Sequence, residues 1–599
     1  MQRLVLPLIG FCFLIVLSMG SAPLRAQVSL LQNTDGFIPV ADLTAQPVFD
    51  LVTPALNRTQ RECLATYCTR YLPAYTPAAA TRGGVRLVVV SALDSVRSPY
   101  TYGSPKLGSF KPVLVLVGPD VDQIYISSEW PSVIAIPDTS AANLSLAVQL
   151  IFGGYRPLPA RTAAERALPA PARLGYALPG ETGTPADFNY RLLSDSITRI
   201  MAAAIDTGAF PGAQVLVAYR GQVVYHRAFG KHTYEGDRPV RTDDIYDLAS
   251  VTKTTGGLPA LMRAYGQGKF DPDRPLTAYF DGFGRSSNKD TITYRAMLAH
   301  QARLRPWVPY WQSSLRGQAK YPWEQKWDGK LTADGRWRGR SLRDRPGKRF
   351  PIQVTDNLWL HRRYRDRIIY RAIRESPLEE KAEYKYSGLL FYLLPEITEN
   401  ITGVPYEAYL QDTFFRPLGA ATLGFNPLGK FPPGRIVPTE RDTFFRQQLL
   451  HGTVHDEGAA LMGGVSANAG LFSTANDLAK YYQMLLQNGS YGGREYVSPA
   501  AVREFTRYQY PATGSRRGLG FDKPLLEYDA AASSVAQAAS PNSFGHSGYT
   551  GTFVWADPDV ELLYIFMSNR VYPTRDNPLI YRLNVRPRIH TAIYEAIVK

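Results

Sequence analysis

Two strand pairs, with more than three hundred residues between them, constrain the fold of this chain most. Ala213 to Tyr219 and Val223 to Phe229 flank Arg220-Gly221-Gln222, a short glycine-containing connection that reads as a β-hairpin. Thr552 to Trp555 and Leu562 to Met567 flank Asp557-Pro558-Asp559 and read as a second hairpin. An amphipathic helix over Tyr190 to Ala204 precedes the first pair, and a helix over Arg588 to Val598 closes the chain. Strands at both ends, with helices between and outside them, predict an antiparallel sheet built from the two ends of one unit around an inserted helical region.

That unit is not the whole chain, because 599 residues exceed one ordinary domain. Hydrophobic content of 45% with 12% aromatics suffices for large cores and argues against wholesale disorder. Upstream, Val85 to Val90 and Lys111 to Gly118 are runs of β-branched residues and leucine, the type expected of strands buried on both faces. With a helical pattern from Ser140 to Phe152 they predict an α/β layer over residues 27–160, followed by a Pro- and Ala-rich linker over 161–184.

The first 26 residues have the form of a secretory signal peptide: Arg3, an apolar run from Leu4 to Met19, then Gly20, Ser21 and Ala22. The run is short for a membrane span, and the place of Cys12 behind Phe11 does not suit lipid attachment. The expectation is a periplasmic or secreted protein with no stable membrane anchor after cleavage. Cys63 and Cys68 then remain, either paired in an oxidising compartment or kept as buried thiols on a short helix.

A net charge of +15 suggests nucleic acid at first, but its distribution does not. Between Arg305 and Arg374 there are 18 Lys+Arg against 6 Asp+Glu, so most of the excess lies in this one segment, together with six of the eight tryptophans. Basic residues interleaved with aromatics can bind single strands, which an exported protein would rarely meet, so no nucleic-acid partner is expected. The segment, an insertion over 305–380, reads as a solvated basic cap whose tryptophans pack on a small core of their own; a surface for an acidic glycan or wall polymer is the other reading.

Asp247-Leu248-Ala249-Ser250-Val251-Thr252-Lys253-Thr254 places a serine and a lysine three apart where a helix should begin. Residues at that spacing share a helix face, so Lys253 can sit against the Ser250 hydroxyl and assist its deprotonation. Alone the tetrapeptide is a chance-level match, and Ser250 could be only an N-cap. Downstream stand Tyr386-Ser387-Gly388 and His546-Ser547-Gly548, the latter followed by Thr550-Gly551-Thr552. In that order the three motifs resemble those of the class C β-lactamase and penicillin-binding esterase family of serine hydrolases. Pro211-Gly212, Leu298-Ala299-His300 and Ala469-Gly470-Leu471-Phe472-Ser473-Thr474 add to the resemblance, which covers roughly 185–599.

The resemblance implies a DD-peptidase/β-lactamase-like domain and acyl transfer through a covalent ester. Ser250 would be the nucleophile, with Lys253 assisting its deprotonation. Tyr386 would be the general base and later the acid for the leaving group. A cation beside a phenol favours the phenolate, which suits tyrosine to this place. The amides of Ser250 and Tyr549 would form the oxyanion hole. His546, where many relatives have lysine, would orient or bind the acid end of the substrate beside Ser547, and Gly548 would let the edge strand approach it. The sequence departs from the family at Gly388, where Asn or Asp is usual. It departs again at Ala302-Arg303 for Ser-Gly and at Ala467-Asn468 for Gly-His. Loss of the side chain at Gly388 should weaken amide substrates more than reactive esters.

His451-Gly452-Thr453-Val454-His455-Asp456 has zinc-like spacing, but Gly and Thr disfavour a helix there and no Glu follows the first His, so neither metal nor other cofactor is expected. Lys111 to Asp120, Ala135-Ile136-Pro137 and Leu150-Ile151-Phe152-Gly153-Gly154 resemble the C-terminal α/β domain of glycoside hydrolase family three, without room for that family's catalytic barrel. The fold class expected is thus α/β and α+β: an accessory α/β domain before an exported serine hydrolase. The substrate this resemblance implies is a D-alanyl peptide of the cell wall, a β-lactam or a small ester. A catalytically inactive wall-binding protein using the same cleft is the alternative.

Overall fold

The computed structural model describes residues 29–33, 38–40, 49–72, 84–91, 110–118, 130–156, 160, 162–177, 184–315, 337, 339–381 and 383–598. The leader expected over 1–26, and Trp323 and Trp327, lie outside the described residues. Among the described residues no helix is long and apolar enough to cross a membrane.

The N-terminal unit is a five-stranded sheet of order β1-β5-β4-β3-β2, formed by Ser29–Asn33 (β1), Phe49–Val52 (β2), Gly84–Ser91 (β3), Phe110–Val117 (β4) and Ser132–Ile136 (β5). β2 to β5 run parallel and β1 is antiparallel at the edge. Continuous apolar runs bury both faces of such a sheet. Leu87, Val89, Val113 and Val115 face one core, while Val88, Val90, Leu114 and Leu116 face another with Trp130. Helix α1 (Arg58–Thr69) starts in a capping box from Asn57 and Gln60, and α2 (Ala141–Phe152) is capped by the Ser140 side chain. α1 carries Cys63 and Cys68 as free thiols, and burial pushes the Cys68 thiol well up. The segment read as a linker is tied down: Glu165 accepts the Leu30 amide at 3.0 Å, and Arg173 donates to the Val40 and Phe152 carbonyls.

The same segment supplies Gly175–Tyr176 (β6), which pairs parallel with the first strand pair of the second unit. That unit is built on a six-stranded sheet of order β9-β10-β11-β7-β8-β6, with β7 Gly212–Tyr219, β8 Gln222–Gly230, β9 Phe544–Ser547, β10 Phe553–Asp557 and β11 Leu562–Ser568. The two hairpins meet where β11 runs antiparallel to β7, from Leu562 opposite Tyr219 to Ser568 opposite Ala213. The alternation of side chains sorts the central strands. Val215, Val217, Tyr564 and Phe566 pack with α3 (Tyr190–Asp206) and the closing helix (Val585–Ala596), whereas Leu216, Ala218, Ile565 and Met567 face the helical region inserted between the hairpins.

Among the described residues of the basic, tryptophan-rich segment, Trp311 packs away from the segment. Trp311 is buried against Phe444 and Phe445, with ring centroids 5.2 and 5.9 Å away, inside the core of the second unit. Arg343, Arg345, Arg349, Arg362 and Arg363 are exposed, as expected when burying a guanidinium unpaired is costly, and Trp307 remains 46% exposed.

Gly212 tests this packing. A Cβ there would run into the Lys231 carbonyl, lie 2.5 Å from Val240 Cγ2 and 2.9 Å from the Phe229 carbonyl. Gly212→Ala is expected to destabilise the protein by about 1–3 kcal/mol, seen as a lower urea midpoint; an unchanged midpoint would contradict this strand contact.

Candidate active site

Ser250 sits on a turn forced into a sparsely populated conformation. Ala249 before it has φ 45°, a left-handed value that costs a residue with a side chain of order 1–3 kcal/mol. What holds the turn is Asp247, whose buried carboxylate accepts the Ala249 amide at 2.8 Å and the His455 amide at 2.7 Å. Burial raises the pKa of Asp247, against the His455 amide that favours the ion.

Further bonds fasten the same turn. Thr550 and Thr552 donate to the carbonyls of Asp247 and Leu248 at 2.8 and 2.9 Å. The Leu248 amide donates to the Leu471 carbonyl, and the Leu471 amide to the Thr252 hydroxyl. The runs around Thr550 and Leu471 are therefore backbone clamps on the turn that carries Ser250. Gly548 belongs to this contact too: a Cβ there would collide with Thr552 Oγ1 and lie 2.6 Å from the Leu248 carbonyl, so glycine serves close packing against the turn.

After the turn the chain coils through Val251 and Thr252 into a π-helical stretch, Lys253–Gly257. Lys253 is buried and its Nζ donates to Ser250 Oγ at 3.0 Å and to the Asn468 carbonyl at 2.8 Å. Ser250 itself is half-buried, open enough for a reactant to reach. Nζ lies 5.5 Å from the ring centroids of both Tyr386 and Phe391. Neither the Ser250 nor the Tyr549 amide donates a hydrogen bond among the described residues. Such a set can polarise a carbonyl at two amides while a serine hydroxyl bonded to a cation attacks it.

Tyr386 is half-buried against His300, whose ring centroid is 4.6 Å away and whose Nδ1 accepts the Ser387 amide. Behind it lies a pair that the sequence motifs do not announce. Arg517 is buried, bonds Asp522, reaches His300 Nε2 at 3.1 Å, and has its guanidinium carbon 5.6 Å from the Tyr386 ring centroid. Burial opposes ionisation of Asp522, but Arg517 and Arg516 hold its carboxyl down at about 2. His546 is enclosed on the same side, 2% exposed, with Nδ1 against the Ser547 carbonyl at 2.7 Å. Burial pushes it down to about 3, with Arg517 adding to the effect and Asp522 opposing it. His546 is therefore neutral, and the fixed cation on this wall is Arg517.

Gly388, at the start of the helix Leu389–Thr402, donates its amide to the Pro306 carbonyl at 3.3 Å, and a Cβ built on it meets nothing within 4 Å. Asn468 joins its Nδ2 to Tyr392 and Asp456 while its carbonyl holds Lys253. His451, His455 and Asp456 lie on a bend and bond separately. His451 meets the Pro433 and Ile436 carbonyls, His455 meets Glu440, and Asp456 caps the helix Glu457–Ala460. Among the described residues no group of three such side chains could hold a metal ion.

The family and its relatives make this chain a serine hydrolase. The beta-lactamase family profile matches residues 197–585, and the chain belongs to that family. A protein of Escherichia coli O157:H7 named "Putative D-alanyl-D-alanine carboxypeptidase" is 30% identical over 424 residues, which cover 66% of this chain and 86% of that protein. A protein of the same name from Salmonella enteritidis PT4 is 29% identical over 403 residues, covering 63% and 82%. Among solved structures, EstCE1, a hydrolase with promiscuous acyltransferase activity, aligns with TM-score 0.47 and 18% identity over 67% of this chain and 99% of that one.

The buried histidines make stability depend on pH. His546 takes up a proton near 6.5 when unfolded but only near 3 when folded. Between those values the unfolded chain binds the extra proton, so stability is full above about 6.5 and falls as pH drops toward 3. His546→Gln is expected to remove about one proton, or about 1.4 kcal/mol per pH unit, from that slope. Denaturant midpoints measured from pH 7 to 4 check this; an unaltered slope would show that His546 is not buried neutral.

Proposed function

We propose that this hydrolase works through an acyl-enzyme on Ser250, acting on D-alanyl peptides of the cell wall and on small esters, outside the cytoplasm. The observation that carries the reading is the 3.0 Å bond from buried Lys253 to Ser250 Oγ, with two undonated amides beside it. In the reaction Ser250 Oγ forms a bond to the substrate carbonyl carbon. Its proton passes to Tyr386, and Lys253 stabilises the developing alkoxide. The carbonyl oxygen, now negative, takes the Ser250 and Tyr549 amides. Collapse breaks the bond to the leaving group, which receives the proton from Tyr386, and water repeats the sequence to release the acid.

Two features favour this substrate class. The names of the relatives from Escherichia coli and Salmonella point to peptides ending in D-alanine, and cell-wall substrates agree with the leader expected over 1–26. Gly388 leaves open space where a polar side chain would grip an amide substrate, so esters should react faster than peptides or lactams. The N-terminal sheet is read as a noncatalytic accessory unit, of the kind that resembles the C-terminal domain of glycoside hydrolase family three.

Lys253→Ala and Tyr386→Phe are each expected to lower acylation by an ester about 10²–10⁴-fold, followed by stopped-flow release of a chromogenic leaving group. Unchanged rates would remove both residues from the reaction. A Cβ at Gly388 meets nothing within 4 Å, and Gly388→Asn is expected to speed acylation by a fluorescent penicillin relative to the ester; an unchanged ratio would contradict the place given to Gly388. Binding to isolated wall with no turnover of ester, peptide or lactam would favour an inactive wall-binding protein instead.

A further inference from the structure

A cavity of about 680 Å³ lies on the side of the second unit where the N-terminal helix α1 docks, lined by Thr69 and Arg70 of the N-terminal unit and by Tyr176, His226, Phe431 and Asn476. Its size is within the range of small-molecule sites. None of the residues placed above around Ser250 lines it.

The charge inside it is unbalanced. Asp477 is answered by Lys480 at 2.8 Å and by the Thr422 amide and hydroxyl. Asp243 is shared between Arg241 and Arg435. Arg70 has no carboxylate partner among the described residues; its guanidinium carbon lies 4.7 Å from the Tyr67 ring centroid and 4.6 Å from that of Tyr176. A guanidinium stacked between two rings is oriented by them and keeps its fork of donors for an oxyanion. Burial, with Arg70 adding to the effect, pushes the His226 imidazole down to about 3, so it is neutral and brings no second charge to the cavity.

The rest of the lining suits hydroxyl groups. Thr66 and Thr69 donate to carbonyls of their own helix and so have lone pairs left to accept. Asn476 accepts the Tyr176 hydroxyl at 2.5 Å and keeps one N–H beyond its bond to the Arg70 carbonyl. Phe431 and Tyr190 supply apolar faces.

We propose that this cavity binds a small polyhydroxylated carboxylic acid of the sugar-acid kind, its carboxylate on Arg70 and its hydroxyls on Thr66, Thr69 and Asn476. The site spans both units, so its ligand fastens the accessory domain to the hydrolase. It also touches Thr474, next to the strand Leu471–Ser473 that pairs with Tyr246–Asp247 just before the nucleophile turn.

Calorimetric titration of the full-length protein with glucuronate and with glucose tests this. Glucuronate is expected to bind saturably and at least tenfold more tightly than glucose. Arg70→Met should abolish that preference while leaving fluorophosphonate labelling intact. Arg70→Lys, which keeps the charge, should retain part of it, and Arg58→Met on the exposed side of α1 should change nothing. No saturable binding of glucuronate, equal binding of the two sugars, or an undiminished preference in Arg70→Met would overturn the proposal.

Discussion

A buried ammonium without a carboxylate partner sets the design of this hydrolase. Lys253 is 3% exposed and forms no salt bridge among the described residues; its hydrogen bonds go to Ser250 Oγ and to the Asn468 carbonyl. Burying such a charge on neutral oxygens is expensive, and the energy is recovered only if those oxygens are fixed in place. Much of the second unit fixes them. Asp456 and Tyr392 hold the Asn468 side chain, and Asp247, Thr550 and Thr552 hold the turn that carries Ser250. A carboxylate beside Lys253 would ease burial but would compete with the serine for the cation.

The same logic explains the wall behind Tyr386. A neutral His546 and a paired Arg517–Asp522 put one oriented cation near the phenol ring without exposing a charge that titrates near neutral pH. Buried ion pairs contribute little net stability, so the value of this one lies in the field and geometry it gives the cleft.

Much of this was legible in the sequence, for identifiable reasons. Both hairpins, the helices at Tyr190 and near the C-terminus, and the helix after Ser140 carry local patterns of period 2 or 3.6 or a capping serine, and the structure has elements at each place. Ser250 and Lys253 are three apart and meet because helical geometry brings them together. What stayed hidden depends on distant chain segments or on backbone atoms. The Asn468 carbonyl has no residue signature, and Asp247 reads as an ordinary strand-end aspartate until His455 arrives from two hundred residues away. Arg517 and Asp522 lie in a loop whose pattern says nothing of the two histidines they join. The π-helical stretch at Lys253–Gly257 was invisible as well, since the motif announces only that a helix begins there.

The central claim is that the Ser250 hydroxyl, held by Lys253, is the atom that becomes acylated. Peptide mass mapping after incubation with a fluorophosphonate tests it most directly. The account predicts a single adduct, on the peptide containing Ser250, and none in Ser250→Ala. A folded protein that takes up no adduct, or one modified equally in Ser250→Ala, would contradict it.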